Sequence, residues 1–410
     1  MSKTPLFIKI ARPTYGAYLL RRNHVETVGM ELLSQLKGPF LVLGNHTHTL
    51  DAFFISAASP VHIRWVAGAY LFKLRFVKTM VSRWIGGISK QQGRSDFQTI
   101  RDISAALKNG EVVGLFPEGT RTWDGEPVGF DEATAKLVRM FKVPVVIVNL
   151  EGGYLLKPRW SDTSRKGTVT LRVLPPLMPE TIKTMKLAEL MAYLQQHIGF
   201  SHQEWQKKTH RPFKNKAKAK GLERVLYICP DCGAKSSIKT EKNLITCTHC
   251  NMTVQLDEFE QFVSIKGNNT FKNLPQWHTW EIGQLHNLVL TAKKETLLFP
   301  PDRGVLLQIG LGQTLVTLSK DFEVTLTKDA ITIHRQDRND SKIMGNEETI
   351  VFPFDNIQSM IINAKSTIEL YRGEELYRIR IEKGSSILKY TETYAAIKKQ
   401  IQSLKSGVCT

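Results

Sequence analysis

The chain has 410 residues, of which 42% are hydrophobic and 23% charged, and this composition excludes a largely disordered protein. The length suggests two to three domains. The formal net charge of +18 indicates an anionic partner, such as nucleic acid, a phosphorylated metabolite or anionic lipid. Residues 1–220 carry 33 Lys and Arg against 16 Asp and Glu, so we expect the anionic partner to bind this half of the chain.

Neither a membrane-spanning segment nor a signal peptide is expected from the hydropathy pattern. No run of 18 or more apolar residues occurs, and the first 20 residues lack a small-residue cleavage site behind a long apolar core. Four of the five cysteines form two Cys-x-x-Cys pairs. In a chain without an export signal, such pairs predict metal binding in a reducing compartment. We therefore expect a cytoplasmic protein.

Apolar runs alternate with amphipathic segments over residues 1–205, which we predict to be an α/β domain. A largely parallel sheet covered by helices is the arrangement that such alternation favours. Strands are predicted at residues 39–43, 111–116, 143–149 and 169–174, and helices at residues 96–108 and 131–141.

A polar segment of residues 45–51, with the sequence NHTHTLD, follows the first of these strands. A His and an Asp five residues apart suit a general base and the carboxylate that orients it. Because five residues span roughly 140° around an ideal helix, we expect His46 in the turn before a helix and Asp51 in its first turns. His48 is a rival base, since it lies three residues from Asp51 and the two could share a helix face.

A second polar segment of residues 116–121, with the sequence FPEGTR, leaves another predicted strand. Gly119 would let the backbone approach a ligand closely. Arg121 offers a planar donor pair suited to a phosphate. Glu118 can bond a ligand hydroxyl or position Arg121. Taken alone, the segment equally suits an ordinary strand–turn with a surface salt bridge.

Together the two segments resemble the glycerophosphate and lysophosphatidate acyltransferase family, often called PlsC-like. The first motif of that family, Asn-His, four residues, then Asp, matches Asn45, His46 and Asp51. Its third motif matches residues 116–121 in full, and residues 143–146 look like its fourth. The resemblance covers about residues 5–205. It implies transfer of an acyl group from acyl-CoA or acyl-carrier protein to a lysophospholipid hydroxyl, most simply that of 1-acyl-glycerol 3-phosphate.

The resemblance implies that His46 is the general base and that Asp51 orients it. It also implies an acceptor site that includes Glu118, Gly119, Thr120 and Arg121. Two departures concern this site. His48 stands where the family often has Ser, and Gln92 stands where its second motif has Arg. Lys90 or Arg94 would then supply the missing charge. The altered second motif leaves open a different acceptor, such as a glycolipid or an amino lipid.

Contact with an anionic membrane surface follows from these substrates, and we expect peripheral association. Residues 53–88 mix aromatic with basic residues, as headgroup-level surfaces do. The same mixture also suits a buried core with a solvated basic face. Residues 6–20 would add a second interfacial helix.

The remainder of the chain divides into four segments by composition. Residues 206–224 are rich in lysine, and we interpret them as a solvated basic linker rather than a lipid- or RNA-binding arm. We predict a zinc ribbon at residues 225–256, a helical connector at residues 257–289 and a β-rich domain at residues 290–410.

The ribbon prediction rests on four cysteines in two knuckles separated by 14 residues. Four thiolates at this spacing predict a closed structural Zn²⁺ site. This half of the chain has almost no net charge, so nucleic acid binding is not expected. The predicted ligands are Cys229, Cys232, Cys247 and Cys250.

The β-rich region resembles a pleckstrin-homology or GRAM-type half-barrel, in pattern only. We predict a final helix at residues 392–404 and six strands, at residues 314–319, 322–327, 330–335, 349–354, 367–371 and 376–382. Such domains bind lipid headgroups or proteins. A non-enzymatic alternative is a zinc-ribbon scaffold whose first domain only docks lipid.

Overall fold

The computed structural model describes residues 4–69, 79, 85–90, 97–311, 314–336 and 348–406. The chain forms two compact units. Unit 1 consists of Met1–Arg159 and Ser164–Asn215, and unit 2 consists of Trp160–Thr163 and Lys216–Thr410.

Unit 1 contains a mixed sheet whose described strands are short and mostly buried. The strands are β1 (Val25–Val28), β2 (Leu41–Gly44), β3 (Ile63–Gly68), β4 (Ile88–Lys90), β5 (Val112–Leu115), β6 (Val145–Glu151) and β7 (Val169–Val173). Their order across the sheet is β1-β7-β6-β2-β5-β3-β4. All neighbouring strands pair in parallel except β6 and β7, so the sheet is largely parallel, as the sequence predicts.

The centre of the sheet is covered on both faces. In β2, Val42 packs into a cluster with Phe54 on one face, whereas Leu41 and Leu43 pack with Ile103 on the other. Strands buried on both faces are continuous apolar runs rather than alternating ones, which is why the sequence marks them clearly. Because β2 and β5 are parallel neighbours, the residues that follow them meet at one edge of the sheet.

The helices of unit 1 pack on both faces of the sheet. In the described part of the chain, none is both long and apolar enough to cross a bilayer. They are Leu6–Ala11, a π-helical turn Arg12–Gly16, Ala17–Arg22, Leu32–Gln35, Asp51–Ala58, Phe97–Lys108, Ala133–Phe141, Gly153–Leu156, Pro179–Thr184, Leu187–Ile198 and His202–Thr209.

The prediction of a solvated linker at residues 206–224 is wrong. Phe213 is fully buried in the core of unit 1, beside Gly152 and Gly167. In unit 2, the backbone N–H of Ala219 donates to the carbonyl of Lys242 at 3.0 Å. A few apolar residues between the lysines are enough to hold this stretch in place. The prediction rested on the lysine content and did not take these residues into account.

The cysteine-containing part of unit 2 forms an antiparallel sheet, preceded by a 3₁₀ turn at Leu222–Arg224. The strands are β8 (Ile238–Glu241), β9 (Leu244–Cys247), β10 (Thr253–Leu256) and β11 (Phe262–Lys266), and their order across the sheet is β11-β10-β9-β8. Strand β11 lies in the segment that we predicted to be a helical connector. The helix of that segment begins only at Leu274 and ends at Thr291.

The β-rich part of unit 2 forms an antiparallel sheet followed by the helix Leu388–Ser406. The strands are β12 (Asp302–Leu311), β13 (Thr314–Ser319), β14 (Phe322–Leu326), β15 (Ala330–Arg335), β16 (Thr349–Pro353), β17 (Ser359–Ala364), β18 (Thr367–Arg372) and β19 (Glu375–Ile381). The six predicted strands are present, within two residues of the expected bounds. Two further strands, β12 and β17, are not marked by simple alternation in the sequence.

Candidate active site and metal centre

A tight turn between β2 and the helix Asp51–Ala58 carries the first group of candidate residues. The side chain of Asn45 fixes the start of this turn to the neighbouring strand β6. Its Oδ1 accepts a hydrogen bond from the backbone N–H of Leu150 at 2.8 Å, and its Nδ2 lies 3.5 Å from the carbonyl oxygen of Leu150. The turn is therefore held at the carboxyl edge of the sheet by a buried amide.

The structure brings His46 and Asp51 together. Nδ1 of His46 lies 2.9 Å from Oδ2 of Asp51. The carboxylate is fully buried, and it also accepts hydrogen bonds from the backbone N–H groups of Thr47 at 2.6 Å and His48 at 2.8 Å. These bonds fix the carboxylate in one orientation. With Nδ1–H donating to Asp51, Nε2 of His46 retains its lone pair, and the imidazole is about one-quarter exposed.

His48 is held differently, although it lies closer to Asp51 in sequence. Asp51 contacts its backbone N–H rather than its ring. Nδ1 of His48 accepts a hydrogen bond from the N–H of Leu50 at 3.0 Å, and the ring stacks on Phe54. Burial lowers the pKa of His48 to about 4, so its imidazole is neutral near pH 7. The geometry thus favours His46 over His48 as a base.

The 116–121 loop lies directly against the His46 turn. Oε2 of Glu118 accepts a hydrogen bond from the backbone N–H of His46 at 2.9 Å, and the N–H of Thr122 donates to the carbonyl of His46 at 3.3 Å. The Phe116 ring is stacked between His46 and Trp65, with ring centroids 4.5 Å and 4.9 Å away. The second loop therefore holds both the backbone N–H and the backbone carbonyl of His46.

Glu118 occupies an unusual electrostatic environment. The pKa of Glu118 is raised to about 7, mainly by burial and also by the nearby Asp51 charge, although the hydrogen bond from the His46 backbone acts in the opposite direction. The sequence predicted that Glu118 bonds a ligand hydroxyl or positions Arg121. The structure shows that Glu118 also holds the backbone of His46, and its roles toward a ligand hydroxyl or Arg121 stay predictions.

Gly119 and Arg121 lie at the exposed side of the loop. Gly119 has a φ of +67° and closes a turn to the carbonyl of Phe116, so a side chain there would be strained although there is space for it. Nη1 of Arg121 donates to Oγ1 of Thr49 at 3.2 Å. Since Thr49 belongs to the 45–51 turn, this bond places the guanidinium beside the His46 turn.

Arg159 is a residue of this site that the sequence reasoning missed. Its side chain is buried, and Nη1 donates to Oγ1 of Thr120 at 2.6 Å and to the carbonyl of Arg121 at 3.0 Å. The guanidinium also lies 4.4 Å from the Trp123 ring centroid. Arg159 follows the short helix Gly153–Leu156 in the chain. The sequence contains no spacing pattern that links Arg159 to either loop.

Lys90, one of the two second-motif candidates, is not joined to this cluster by the contacts of the described residues. Lys90 ends β4, and its side chain is exposed. β5 and β3 lie between β4 and β2. Arg94 lies outside the described residues.

The four predicted metal ligands converge in unit 2. The Sγ atoms of Cys229, Cys232, Cys247 and Cys250 all lie within 4.8 Å of one another. The pairs Cys229–Cys250 and Cys232–Cys247 are separated by 3.7 Å and 3.8 Å. Four thiolates bound tetrahedrally at ~2.3 Å from Zn²⁺ stand about 3.8 Å apart, so this donor set fits a structural zinc ion. His249 enters the cluster only through its backbone N–H, which faces Sγ of Cys247 at 3.4 Å.

A buried carboxylate from the helix Leu274–Thr291 supports the backbone that precedes Cys229. Oε1 of Glu281 accepts hydrogen bonds from the backbone N–H groups of Tyr227 at 2.7 Å and Ile228 at 2.6 Å. Nε1 of Trp277 donates to the carbonyl of Ile228 at 3.1 Å. The helix Leu274–Thr291 therefore fixes the backbone immediately before Cys229.

The chain is similar to known proteins over much of unit 1. Residues 24–151 match the family model described as Acyltransferase. The 1-acyl-sn-glycerol-3-phosphate acyltransferase of Saccharomyces cerevisiae is 27% identical over 171 residues, which are 40% of this chain and 55% of that protein. The protein of the same name from Bacillus subtilis is 26% identical over 157 residues, which are 38% of this chain and 75% of that protein.

The chain spans about half the length of several curated relatives that it matches, including the yeast protein. Among solved structures, the 1-acyl-sn-glycerophosphate acyltransferase PlsC from Thermotoga maritima is 24% identical, with a TM-score of 0.42. That alignment covers 49% of this chain and 79% of that one. The family match includes the turn of His46 and Asp51 and the 116–121 loop, and it ends before Arg159.

Proposed function

We propose that this chain, whose residues 24–151 match the acyltransferase family model, transfers a fatty acyl group to the free hydroxyl of 1-acyl-glycerol 3-phosphate in phospholipid synthesis. The donor is an acyl thioester, either acyl-CoA or acyl-carrier protein. The observation that carries this proposal is the 2.9 Å contact between His46 and Asp51, in a turn hydrogen-bonded to the 116–121 loop. The names of the relatives support the choice of acceptor.

The proposed reaction begins when Nε2 of His46 removes the proton of the acceptor hydroxyl. The hydroxyl oxygen attacks the thioester carbonyl carbon, and the buried Asp51 carboxylate stabilises the imidazolium that forms. The tetrahedral intermediate then collapses, the carbon–sulfur bond breaks, and the leaving sulfur receives the proton from His46. The products are a diacylated phospholipid and a free thiol, and the histidine returns to its neutral form.

The acceptor phosphate is proposed to bind Arg121, which presents its guanidinium beside Thr49 at the edge of the His46 turn. Gly119 and Thr120 would line the approach of the phosphate to the loop. Lys90 and Arg94 remain proposed contributors on sequence grounds alone.

An anionic bilayer is the proposed partner of the N-terminal helices. Between Leu6 and Arg22 the side chains of Leu6, Ile10, Tyr15 and Tyr18 are each more than half exposed. Lys9, Arg21 and Arg22 lie in the same stretch. Exposed apolar and aromatic side chains with interspersed basic ones suit the headgroup level of a membrane. Each basic residue near anionic lipid contributes about 1 kcal/mol.

Unit 2 is proposed to contain a structural zinc ribbon and a pleckstrin-homology-like domain. The four converging thiolates support the ribbon. The antiparallel sheet with its terminal helix supports the second part. A lipid headgroup or a protein is the proposed partner of that domain.

The experiment that tests the proposed function is an acceptor and donor screen with purified full-length protein. Radiolabelled acyl-CoA and acyl-carrier protein are each offered with lysophosphatidate, monoacylglycerol, glycerol 3-phosphate, a lyso-glycolipid and an amino lipid. We expect label to appear in phosphatidate. Transfer to the glycolipid or amino lipid in preference to lysophosphatidate would support the second candidate acceptor, which the Gln92 departure motivates. Absence of transfer from both donors to all five acceptors would leave a lipid-docking scaffold.

Membrane association is tested separately by flotation with vesicles of neutral or anionic lipid. We expect flotation with anionic vesicles, and we expect a variant in which Lys9, Arg21 and Arg22 are replaced by Ala to float less. Equal flotation of both proteins with both vesicle types would contradict an electrostatic membrane surface in this region.

A further inference from the structure

We propose that Lys157 is a second cationic ligand for the phosphomonoester of the acceptor, acting together with Arg121. This inference rests on the proposed function and extends the site beyond the region that matches the family model, which ends at residue 151. The ligand group is a phosphomonoester dianion, which both lysophosphatidate and the 3′-phosphate of CoA carry. We assign Lys157 to the acceptor.

The 153–159 segment, which contains Lys157, is fixed at both ends to the two motif loops. At its start, Gly153 packs so closely on the 45–51 turn that an added Cβ would lie 2.6 Å from Oγ1 of Thr47. At its end, Arg159 donates hydrogen bonds to Oγ1 of Thr120 and to the carbonyl of Arg121. Lys157 lies between these anchors, so its position relative to both loops is determined by contacts at either end.

Lys157 and Arg121 both act electrostatically on the ring of His48, which lies in the 45–51 turn. The pKa of His48 is lowered mainly by burial; the negative charge of Asp51 opposes this shift, and the positive charges of Arg121 and Lys157 add to it. Because Coulomb interactions decline with distance, two cations that both act on one imidazole lie in its neighbourhood.

Lys157 is also available for a ligand. Its side chain is half-buried, and among the described residues it makes no ion pair with a carboxylate. The two carboxylates of the motif loops have other partners: Asp51 contacts the imidazole and backbone of its own turn, and Glu118 accepts from the N–H of His46. A half-buried lysine without an acidic partner, beside an arginine, suits a phosphate dianion that accepts from both.

The test measures the two substrates separately in the full-length protein. With donor saturating, we expect Lys157→Ala to raise the KM for lysophosphatidate about tenfold or more, the loss typical of a charged hydrogen bond, with kcat nearly unchanged. We expect Lys157→Arg to restore most of the affinity. Lys183→Ala, which removes a lysine from an exposed helix position, is the matched control and should behave as wild type.

Two further arms separate the sources of the phosphate. With monoacylglycerol as acceptor, which lacks the phosphomonoester, Lys157→Ala and wild type should have the same KM. The KM for acyl-CoA should also be unchanged, and a rise in that KM alone would assign Lys157 to the donor and overturn the inference. Thermal unfolding of each variant checks that the protein remains folded. If the Lys157→Ala variant does not fold, Lys157→Gln provides a second neutral replacement.

Failure of this inference can be distinguished from failure of the proposed function. If wild type acylates lysophosphatidate and the neutral variants retain its KM, the lysine assignment is wrong and the function stands. Direct binding of lysophosphatidate in neutral detergent micelles, measured without donor, does not depend on turnover. If wild type binds but does not turn over, and the neutral variants bind at least tenfold more weakly, the cation pair stands and the acyltransferase reaction fails. Equal binding by all forms would overturn the inference in either case.

Discussion

Asp51 contacts the ring of His46 across five residues, with 2.9 Å between Oδ2 and Nδ1. Residues with this separation diverge by roughly 140° on an ideal helix. They meet here because His46 belongs to the turn and Asp51 is the first residue of the helix that follows. The Asp51 carboxylate also accepts hydrogen bonds from the backbone N–H groups of Thr47 and His48, which lie in the turn. One buried group therefore both begins the helix and orients the imidazole.

Replacing Asp51 by Asn tests whether that carboxylate acts through the imidazole. The amide retains an acceptor for the turn but loses the charge and can select the other imidazole tautomer. We expect kcat for acyl transfer to fall about 10²- to 10⁴-fold, with the KM for both substrates changed less than threefold. Steady-state kinetics with lysophosphatidate measure this. A kcat within threefold of wild type, in a folded variant, would show that the contact is only structural.

The raised pKa of Glu118 predicts a pH-dependent stability. Its folded-state pKa of about 7 exceeds the ordinary value of 4.5, so between these values the folded protein holds more protons than the unfolded chain. Stability from this group therefore declines as the pH rises from 4.5 to 7. Glu118→Gln removes the titration but keeps an acceptor for the His46 N–H. We expect the melting temperature of this variant, relative to wild type, to increase between pH 5 and pH 8. A difference independent of pH would contradict the burial of this charge.

The lowered pKa of His48 predicts the opposite dependence. Its folded-state pKa of about 4 is below the ordinary value of 6.5, so the folded protein holds fewer protons between these values, and stability is lost as the pH falls from 6.5 to 4. His48→Asn retains an acceptor for the Leu50 N–H without the titration. Its melting temperature relative to wild type should increase as the pH falls from 7 to 4.5. The same replacement at the exposed His24 is the control, and matching behaviour of the two variants would argue against a buried His48.

Zinc binding by the four cysteines predicts a defined metal content. We expect one zinc per chain by elemental analysis, and we expect a strong chelator to lower the thermal stability of the protein, because binding of such a metal is coupled to folding. Cys232→Ser should lose zinc. Cys409→Ser, at a position outside the described residues, is the control and should retain it. A metal-free protein from zinc-replete growth with unchanged stability would refute the zinc ribbon.

The parts of the site that the sequence predicts are those fixed by local geometry. The strand before Gly44, the turn at His46 and the helix beginning at Asp51 follow from neighbouring residues alone. The approach of the 116–121 loop to this turn follows from parallel neighbouring strands. The local sequence patterns and the parallel order of the strands agree with each other, so the meeting of the two loops could be predicted.

The remainder depends on tertiary contacts that short sequence patterns do not contain. Arg159 reaches the 116–121 loop from a later segment, about 38 residues from Arg121. Phe213 places the first part of the predicted linker in the core of unit 1, because a buried aromatic ring removes a large apolar area from water. The reversal of β7 relative to β6 likewise has no local signal.

Acyl transfer by the His46→Ala variant tests the central proposal most directly. Wild type, His46→Ala and His48→Asn are assayed with labelled acyl-CoA and lysophosphatidate at saturation. The geometry predicts that His46→Ala loses kcat by at least about 10²-fold, the usual contribution of a general base, whereas His48→Asn stays within about tenfold of wild type. Activity that survives in folded His46→Ala, or that is lost only when His48 is replaced, would contradict the role proposed for His46.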